Sequence, residues 1–379
     1  MNRKTEIALA EELLALSESD TPYLDASETA SAVASYTDVA RYELELEKIF
    51  RKIPQPIAHA SELPEPGSFI KRDLAGLPLL ITRDDNGQVH IFLNVCRHRG
   101  TRLVDEHSGC KRRFSCPYHA WTWNNKGELL SIPGQQHGFP NIDKAELGLK
   151  TLGVVEQYGW VWVNPAGEEA PDLAAHLGDL EVDLAWIEAD QHQVLYTEEQ
   201  LKQTNWKLLS EGGLEAYHFK IAHRKTIGPY FKDNLSTYQE FNGSFRSILA
   251  KSSLPEMSAL PREQWRLRDY TQIVYTLFPT TSLLVQSDHI SWIQFNPIAV
   301  DQCQLKVTTL VPKDRVESEA DLAHWKKNHQ ITVDTLTEDF DIAESIQSGL
   351  KSGANTHLTF GRFEGALDKL SQHIEQRIS

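Results

Sequence analysis

Four metal-ligating side chains fall in two short runs, Cys96-Arg-His98 and Cys116-Pro-Tyr-His119, with seventeen residues between His98 and Cys116. Each run carries one thiol and one imidazole. That alternation suits a [2Fe–2S] cluster in which both cysteines bind one iron and both histidines bind the other. Imidazoles in place of two thiolates lower the negative charge on the cluster. Its potential then rises, and it can accept electrons from a flavin or ferredoxin donor. A structural zinc site of the Cys₂His₂ kind is the rival, but zinc fingers pair the two cysteines first and the two histidines later.

A second polar run reads Asn205-Trp206-Lys207-Leu-Leu-Ser-Glu211-Gly-Gly-Leu-Glu215-Ala-Tyr217-His218 and closes on Ile-Ala-His223. Projected on a helix, Glu211, Glu215 and His218 share one face. A solvated acidic face accounts for that pattern taken alone. Two histidines and two carboxylates within thirteen residues, beside Trp206 and Tyr217, point instead to a buried metal-linked stripe. On an ideal helix His218 and His223 lie about 140° apart, too far round for one ion. A shared metal therefore requires a π-bulge between them or a distorted helix end before His223.

A third ligand has to come from elsewhere. Two histidines and one carboxylate would leave three positions of an iron(II) ion open. Apolar residues at Val333, Leu336, Phe340, Ala343, Ile346 and Leu350 predict a helix with one buried stripe. Asp339 falls about 50° from the centre of that stripe, whereas Glu338 and Asp341 fall about 150° away. An acid on a buried face requires compensation, which a metal ion supplies. Asp339 is the candidate carboxylate and Asp341 the runner-up. Gln347 lies on the same stripe.

The elements that must hold these groups divide the chain in three. Residues 1–50 read as two helical pieces, the second marked by Val39, Tyr42, Leu46 and Ile49, with Thr37 as candidate cap. Residues 51–165 read as an all-β domain. Its signals include the Asn86-Gly87 hairpin between Leu79-Leu80-Ile81 and Val89-His90-Ile91-Phe92, and both ligand runs then sit at strand ends. Residues 166–379 read as α+β. A strand near 194–203 precedes a helix beginning near Thr204. Four strand-like runs follow at 237–250, 271–278, 281–295 and 302–311, then a long helix from about 318 to 350. An antiparallel sheet packed against helices is the economical arrangement.

Composition narrows the partners. A chain of 379 residues can build two cores, and its net charge of −15 argues against nucleic acid or an anionic membrane as partner. It suits the docking of a basic redox protein. The four cysteines, Cys96, Cys110, Cys116 and Cys303, form no disulfide framework and fit a reduced cytoplasm. Ile7-Ala8-Leu9-Ala10 runs at once into Glu11 and Glu12, too short and charged for a signal peptide or membrane span. No Gly-x-Gly-x-x-Gly follows a strand, so NAD(P)H would be oxidised by a separate protein.

With both constellations read, the chain resembles the terminal oxygenase α subunit of Rieske non-haem iron oxygenases. The resemblance rests on Cys-x-His…Cys-Pro-Tyr-His-Ala-Trp, on Asn-Trp-Lys…Glu-x-Tyr-His-x₄-His, and on Glu338-Asp339…Gln347-x-Gly349. It implies a Rieske [2Fe–2S] domain held by Cys96, His98, Cys116 and His119, and a C-terminal helix-grip domain. In the latter, His218, His223 and Asp339 would bind mononuclear iron. It also implies trimers, of α alone or with a β subunit, fed by a flavin/iron–sulfur reductase or a ferredoxin and using O₂ on a small organic substrate. Glu215 stands where the family has an acidic bridge from a cluster histidine of one subunit, here His119, to an iron histidine of the next, here His218. The alternative is a Rieske-type electron carrier with an inert second domain.

The resemblance leaves the substrate open. Glu at the bridge is similar to oxygenases of carnitine, choline and glycine betaine. A quaternary ammonium wants an aromatic cage, for which Tyr230, Phe231, Tyr238, Phe241, Trp265, Tyr270, Tyr275 and Trp292 are candidates. An aromatic carboxylate wants an arginine, with Arg246, Arg262, Arg266 and Arg268 available. His289, Gln286 and Asn296 are further candidates for the cavity lining.

Overall fold

The structure, a computed structural model, describes all 379 residues, Met1–Ser379. The chain forms two compact units, Phe50–Asp172 and Met1–Ile49 together with Leu173–Ser379. Helix Arg3–Glu18 and strand β1 (Thr29–Ala32) belong to the discontinuous unit.

The continuous unit is built on short strands: β2 (Gln55–His59), β3 (Ser68–Leu74), β4 (Leu77–Arg83), β5 (Val89–Leu93), β6 (Ser108–Cys110), β7 (Arg113–Ser115), β8 (Thr122–Asn124), β9 (Leu129–Ser131), β10 (Thr151–Gln157) and β11 (Trp160–Asn164). Seven of them make an antiparallel sheet in the order β2-β11-β10-β5-β4-β3-β6, and β7-β8-β9 make a second sheet. At the β4–β5 hairpin Gly87 takes φ +81°, and Asp84 Oδ1 accepts from the N–H groups of Asn86 and Gln88 at 2.8 and 2.9 Å. Strand alternation sorts side chains to two cores. Leu79, Ile81 and Ile91 enter one; Leu80 and Phe92 enter the other, where Cys96, Cys116, Trp121 and Trp123 also lie.

The discontinuous unit holds β12 (His192–Lys202), β13 (Phe231–Phe241), β14 (Ser244–Lys251), β15 (Thr271–Leu277), β16 (Thr281–Val285), β17 (Ile290–Ala299) and β18 (Gln302–Pro312). They form one antiparallel sheet in the order β12-β18-β17-β16-β15-β14-β13. Two of the expected single runs, 237–250 and 281–295, are hairpins. The first turns at Asn242-Gly243, both at positive φ, and the second at Gln286–His289. The long helix spans Glu319–Leu350, capped by Ser318, whose Oγ accepts from Asp321 N at 3.0 Å. After it, β19 (His357–Phe360) pairs with β1, and a last helix runs Gly365–Ile378. Near the start, Asp38 rather than Thr37 caps helix Val39–Glu45, because its carboxylate reaches Arg41 N at 2.9 Å while the Thr37 hydroxyl bonds Val33 O. No helix is long and apolar enough to cross a membrane.

Helix Trp206–Glu211 carries the start of the metal-linked run. Lys207 and Glu45 are both buried, and the ammonium meets the two carboxylate oxygens at 2.7 and 2.8 Å. Trp206 Nε1 donates to the same carboxylate at 2.8 Å. Removing one partner of a buried pair leaves a charge that neither water nor protein solvates. Glu45→Ala is therefore expected to destabilise this unit by about 3–5 kcal/mol. The paired change Glu45→Met with Lys207→Met should cost less. Urea unfolding of both variants checks this; equal losses would contradict the pairing.

Candidate metal centres and substrate cavity

The two cysteine–histidine loops are built alike. In each, the cysteine N–H donates to the carbonyl five residues on, Cys96 to Thr101 and Cys116 to Trp121, both at 2.8 Å. In each, the cysteine carbonyl accepts from the residue four on, Gly100 at 3.0 Å and Ala120 at 2.9 Å. Closing this turn puts Gly100 at φ +79° and Ala120 at φ +57°. Glycine takes that conformation freely, whereas alanine takes it against steric cost.

The loops bring the four side chains together. Cys96 and Cys116 are buried and free, and burial, ahead of its neighbours, raises the Cys96 thiol pKa. The rings of His98 and His119 lie 4.8 Å apart. Trp121 stacks on His98 at 4.7 Å, so its part here is packing. Burial, then the neighbouring His119 and Arg99, lowers the His98 pKa, which keeps its ring neutral. His98 Nδ1 is buried with no hydrogen-bond partner. Asn94 pins the first loop, accepting from Leu103 N and Val104 N and donating to Val104 O. Arg97 donates to Gly148 O and Arg99 to the Tyr118 hydroxyl, both local contacts.

The second run does not form the single helix its pattern predicted. The helix ends at Glu211 before Gly212-Gly213, where two consecutive glycines carry the poorest helix propensity short of proline. A separate turn of helix, Phe219–Ala222, starts at His218 and ends at His223. His223 takes φ −96° and ψ 20°, outside helical geometry, and this distorted end swings its ring back beside His218, 5.1 Å between centroids. Gly228 sits against this turn. A Cβ there would fall 2.8 Å from the carbonyl oxygens of both Phe219 and His223.

The long helix supplies the third group. His223 Nε2 is 2.9 Å and His218 Nε2 3.5 Å from the same Asp339 oxygen, and ligand atoms of the three residues lie within 4.8 Å of one another. Each ring is held from behind by a carboxylate. Glu215 Oε1 bonds His218 Nδ1, and its other oxygen accepts from the backbone N–H of Tyr217 and His218. Glu338 Oε2 bonds His223 Nδ1 at 2.9 Å and accepts from the Thr226 hydroxyl at 2.6 Å. Glu338 is a correction to the stripe analysis, which put it on the outer face. The ligand turn passes along that flank, within reach of a glutamate. Asp341 is exposed and lies 3.5 Å from Lys202, away from the trio. Glu211 hydrogen-bonds Tyr36 at 2.8 Å, and burial pushes its pKa up to about 7.

A cavity of about 870 Å³ lies against the trio. Phe219, Phe231, Phe295, Phe340 and Phe360 line it together with aliphatic side chains such as Leu209, Val274, Leu284 and Ile293 and polar ones such as Gln272, Ser282 and Thr335. Of the eight aromatic cage candidates only Phe231 lines it. The reason is strand parity: Val274, Leu284 and Ile293 face the cavity, so Tyr275, Leu283 and Trp292, paired across the strands, face the other way. None of Arg246, Arg262, Arg266 and Arg268 lines it, and Arg246 is held in an ion pair with Asp183 at 2.6 Å. His289 and Gln286 do line it; Asn296 does not. Glu364, Phe360 and Leu358 come from the C-terminal segment, where no site residue was expected.

Residues 181–379 match the model of the ring hydroxylating alpha subunit (catalytic domain). The chain belongs to this ring-hydroxylating family. Residues 53–156 match the Rieske [2Fe-2S] domain. The glycine betaine monooxygenase oxygenase subunit of Chromohalobacter salexigens is 31% identical over 216 residues, covering 57% of this chain and 48% of that relative. The anthranilate 1,2-dioxygenase large subunit of Acinetobacter baylyi is 31% identical over 197 residues, 50% of this chain and 41% of that one. The matched segments thus span less than half of these curated relatives. Among solved structures, the quaternary ammonium Rieske monooxygenase CntA in complex with an inhibitor superposes with a TM-score of 0.78 at 23% identity, covering 93% of this chain and 96% of that one. Naphthalene 1,2-dioxygenase from Rhodococcus sp. bound to indole gives 0.78 at 19% identity, 98% and 97%. At such identities the likeness establishes the fold.

A family member of this composition carries a Rieske cluster and a mononuclear iron, and the residues fit both. Two of the buried nitrogens left without a hydrogen-bond partner, His98 Nδ1 and His218 Nε2, belong to donor sets of the right chemistry: two thiols with two imidazoles, and two imidazoles with a carboxylate. Without metal, burial lowers the pKa of His218 and His223, but bonds from Glu215 and Asp339 outweigh it and both end above the ordinary value. A proton competes with iron for each Nε2. Iron affinity should therefore begin to fall on acidification at a pH above about 6.5, the ordinary histidine value. Chelator competition between pH 8 and 6 measures the onset. Glu338→Gln should lower iron affinity by about 10- to 100-fold at pH 7.5 and leave the visible spectrum of the cluster unchanged.

Proposed function

We propose that this protein is the terminal oxygenase of a multicomponent system, hydroxylating a small, largely apolar organic compound with O₂. The observation that carries the reading is the His218–His223–Asp339 trio set in the wall of an apolar cavity, in a chain that also carries the cysteine–histidine loops. An electron carrier has no use for that cavity.

The roles follow the donor chemistry. Cys96 and Cys116 would hold one iron of the cluster, and His98 and His119 the other. His218, His223 and Asp339 would hold the mononuclear iron at the cavity wall. When bound, the cluster passes on single electrons and the iron activates O₂ beside the substrate. Glu215 and Glu338 fix the two rings, Nδ1 to carboxylate, so both Nε2 atoms stay aimed at the metal position. The phenylalanines exclude water and orient the substrate carbon. The product is a hydroxylated carbon, a cis-diol, or a hemiaminal or hemiacetal that loses formaldehyde.

Electrons come from a flavin/iron–sulfur reductase or a ferredoxin that oxidises NAD(P)H, docking on the acidic chain in the cytoplasm. The protein works as an α₃ trimer in which Glu215 bridges His218 to His119 of the partner subunit. The exposed position of His119 leaves that imidazole free to be met.

A cavity of about 870 Å³ is large for a compound the size of glycine betaine and suits a two-ring body. The absence of tyrosine and tryptophan from its wall supports the same preference over a quaternary ammonium. Single turnover of the reduced protein with ¹⁸O₂ tests both parts. Labelled phenol or diol from a bicyclic aromatic is the expected outcome; labelled product or formaldehyde from quaternary amines alone would reverse the substrate assignment. His218→Ala should abolish product and the mononuclear iron while acid-labile sulfide stays constant. Glu215→Gln should slow coupled turnover by about 10- to 100-fold with both metals retained. Turnover unchanged by that substitution would remove Glu215 from the electron path.

A further inference from the structure

One pair of titratable groups, buried His289 and half-buried Asp288, lines the cavity but takes no part in holding metal. In the β16–β17 turn, His289 Nδ1 is 2.7 Å from one oxygen of Asp288, and His324 Nε2, on the long helix, is 2.8 Å from the other. The bond to His289, opposed by burial and assisted by His324, holds the Asp288 carboxyl well below the usual carboxylate range. An ionised Asp288 receives the Nδ1 proton, so in the neutral ring Nε2 is the acceptor. The His289 side chain is 5% exposed, and its Nε2 is buried with no hydrogen-bond partner. Its other close neighbour is Trp325, whose ring lies 5.9 Å away and whose Nε1 is committed to Arg315 O at 2.6 Å.

The strand register places this group at one end of the cavity. Ile290 pairs with Val285, and Gln286 N bonds His289 O at 3.0 Å, so His289 closes the last row of the sheet face that Gln272 and Gln286 share. One row inward, Ser291 Oγ meets Thr332 Oγ1 of the long helix at 3.3 Å. Thr332 lies about 10 Å along that helix from Asp339, and Asn328, beside His324, about 16 Å. Between the two ends the wall is mainly phenylalanine and aliphatic, with Ser282 and Thr335 among them. Lys251, the one lysine or arginine of the lining, spends its ammonium on Arg268 O and Asp269 O at 3.4 and 3.2 Å.

We propose that His289 is a distal recognition residue of the substrate cavity, accepting a hydrogen bond from a hydroxyl or N–H group carried at the far end of an otherwise apolar substrate. The inference rests on the oxygenase reading of this cavity and narrows its substrate class. A substrate whose own donor reaches this nitrogen satisfies it, whereas an all-apolar one leaves it stranded. His289 is thus a positioning residue, setting which end of the substrate faces the metal.

Equilibrium dialysis of the intact, metal-loaded protein without reductant, so that nothing turns over, tests this with 4-hydroxybiphenyl and biphenyl as the probes. Wild type should hold the hydroxylated compound at least about tenfold more tightly. In His289→Leu the ratio should collapse to within about threefold, with biphenyl held as well as before or better. His289→Gln, which keeps an acceptor, should restore much of the preference and guards against a folding defect in the leucine variant. No preference in wild type, an unchanged ratio in His289→Leu, or failure of both probes to bind would overturn the inference. The oxygenase reading is judged apart from it, by iron and sulfide content and by labelled turnover, and survives a result in which biphenyl binds without preference.

Discussion

The geometry of the His218–His223–Asp339 trio hangs on one joint. Its histidines and its carboxylate come from segments far apart in the chain, His223 and Asp339 being 116 positions apart. What registers them is the place where the chain enters helix Trp206–Glu211 against the long helix. Gln203 N donates to Glu344, the Thr204 hydroxyl to Ala343 O at 3.1 Å, and Asn205 N to Gln347 Oε1 at 2.9 Å. Asn205 Nδ2 also reaches Val300 O at 2.7 Å, tying in the sheet. Successive helix residues point about 100° apart, so a slip of one residue at this joint would turn Asp339 away from both imidazoles. Asn205 and Gln347 bind nothing themselves, yet they decide where the ligands meet.

The same logic explains what could be read beforehand. The cysteine–histidine loops were legible because each is a local turn whose ligands are two or three residues apart, and no tertiary knowledge is needed to bring them close. The two histidines five apart were legible as a pair, and their angular mismatch called for a π-bulge or a distorted helix end; His223, closing the one-turn helix outside helical geometry, supplies the latter. Apolar periodicity marked out the long helix, with Asp339 near its buried stripe. Glu338 was missed because angular position takes no account of what lies alongside the helix or how far a glutamate reaches. The cavity wall was not legible. Strand parity says that Val274 and Tyr275 face opposite ways, but only the packing of the long helix says which face is the cavity. The last 29 residues, 351–379, went unread, although Leu367, Leu370, Ile374 and Ile378 recur at helical spacing and are buried.

Three carboxylates share two opposite duties in this site. Asp339 faces the Nε2 atoms of both histidines, while Glu215 and Glu338 stand behind the rings at Nδ1. The arrangement lets the protein set ring orientation and basicity without adding ligands, which leaves the cavity side of the metal free. The cluster loops are shaped by paired backbone turns, a glycine in one and a strained alanine in the other, with the Asn94 side chain pinning the first.

The pairing of β1 with β19 has a consequence for how the protein comes into being. Thr29 lies opposite Phe360, so the ribbon that contributes Leu358 and Phe360 to the cavity is stitched from near the two ends of the chain. The unit Phe50–Asp172, by contrast, is one unbroken stretch. During synthesis all four cluster ligands are out of the ribosome long before Asp339. The cavity wall cannot close until Phe360 has emerged. With the ligand assignments proposed above, the four cluster residues are complete on a nascent chain, whereas the mononuclear iron residues can meet only after the long helix and β19 have been made.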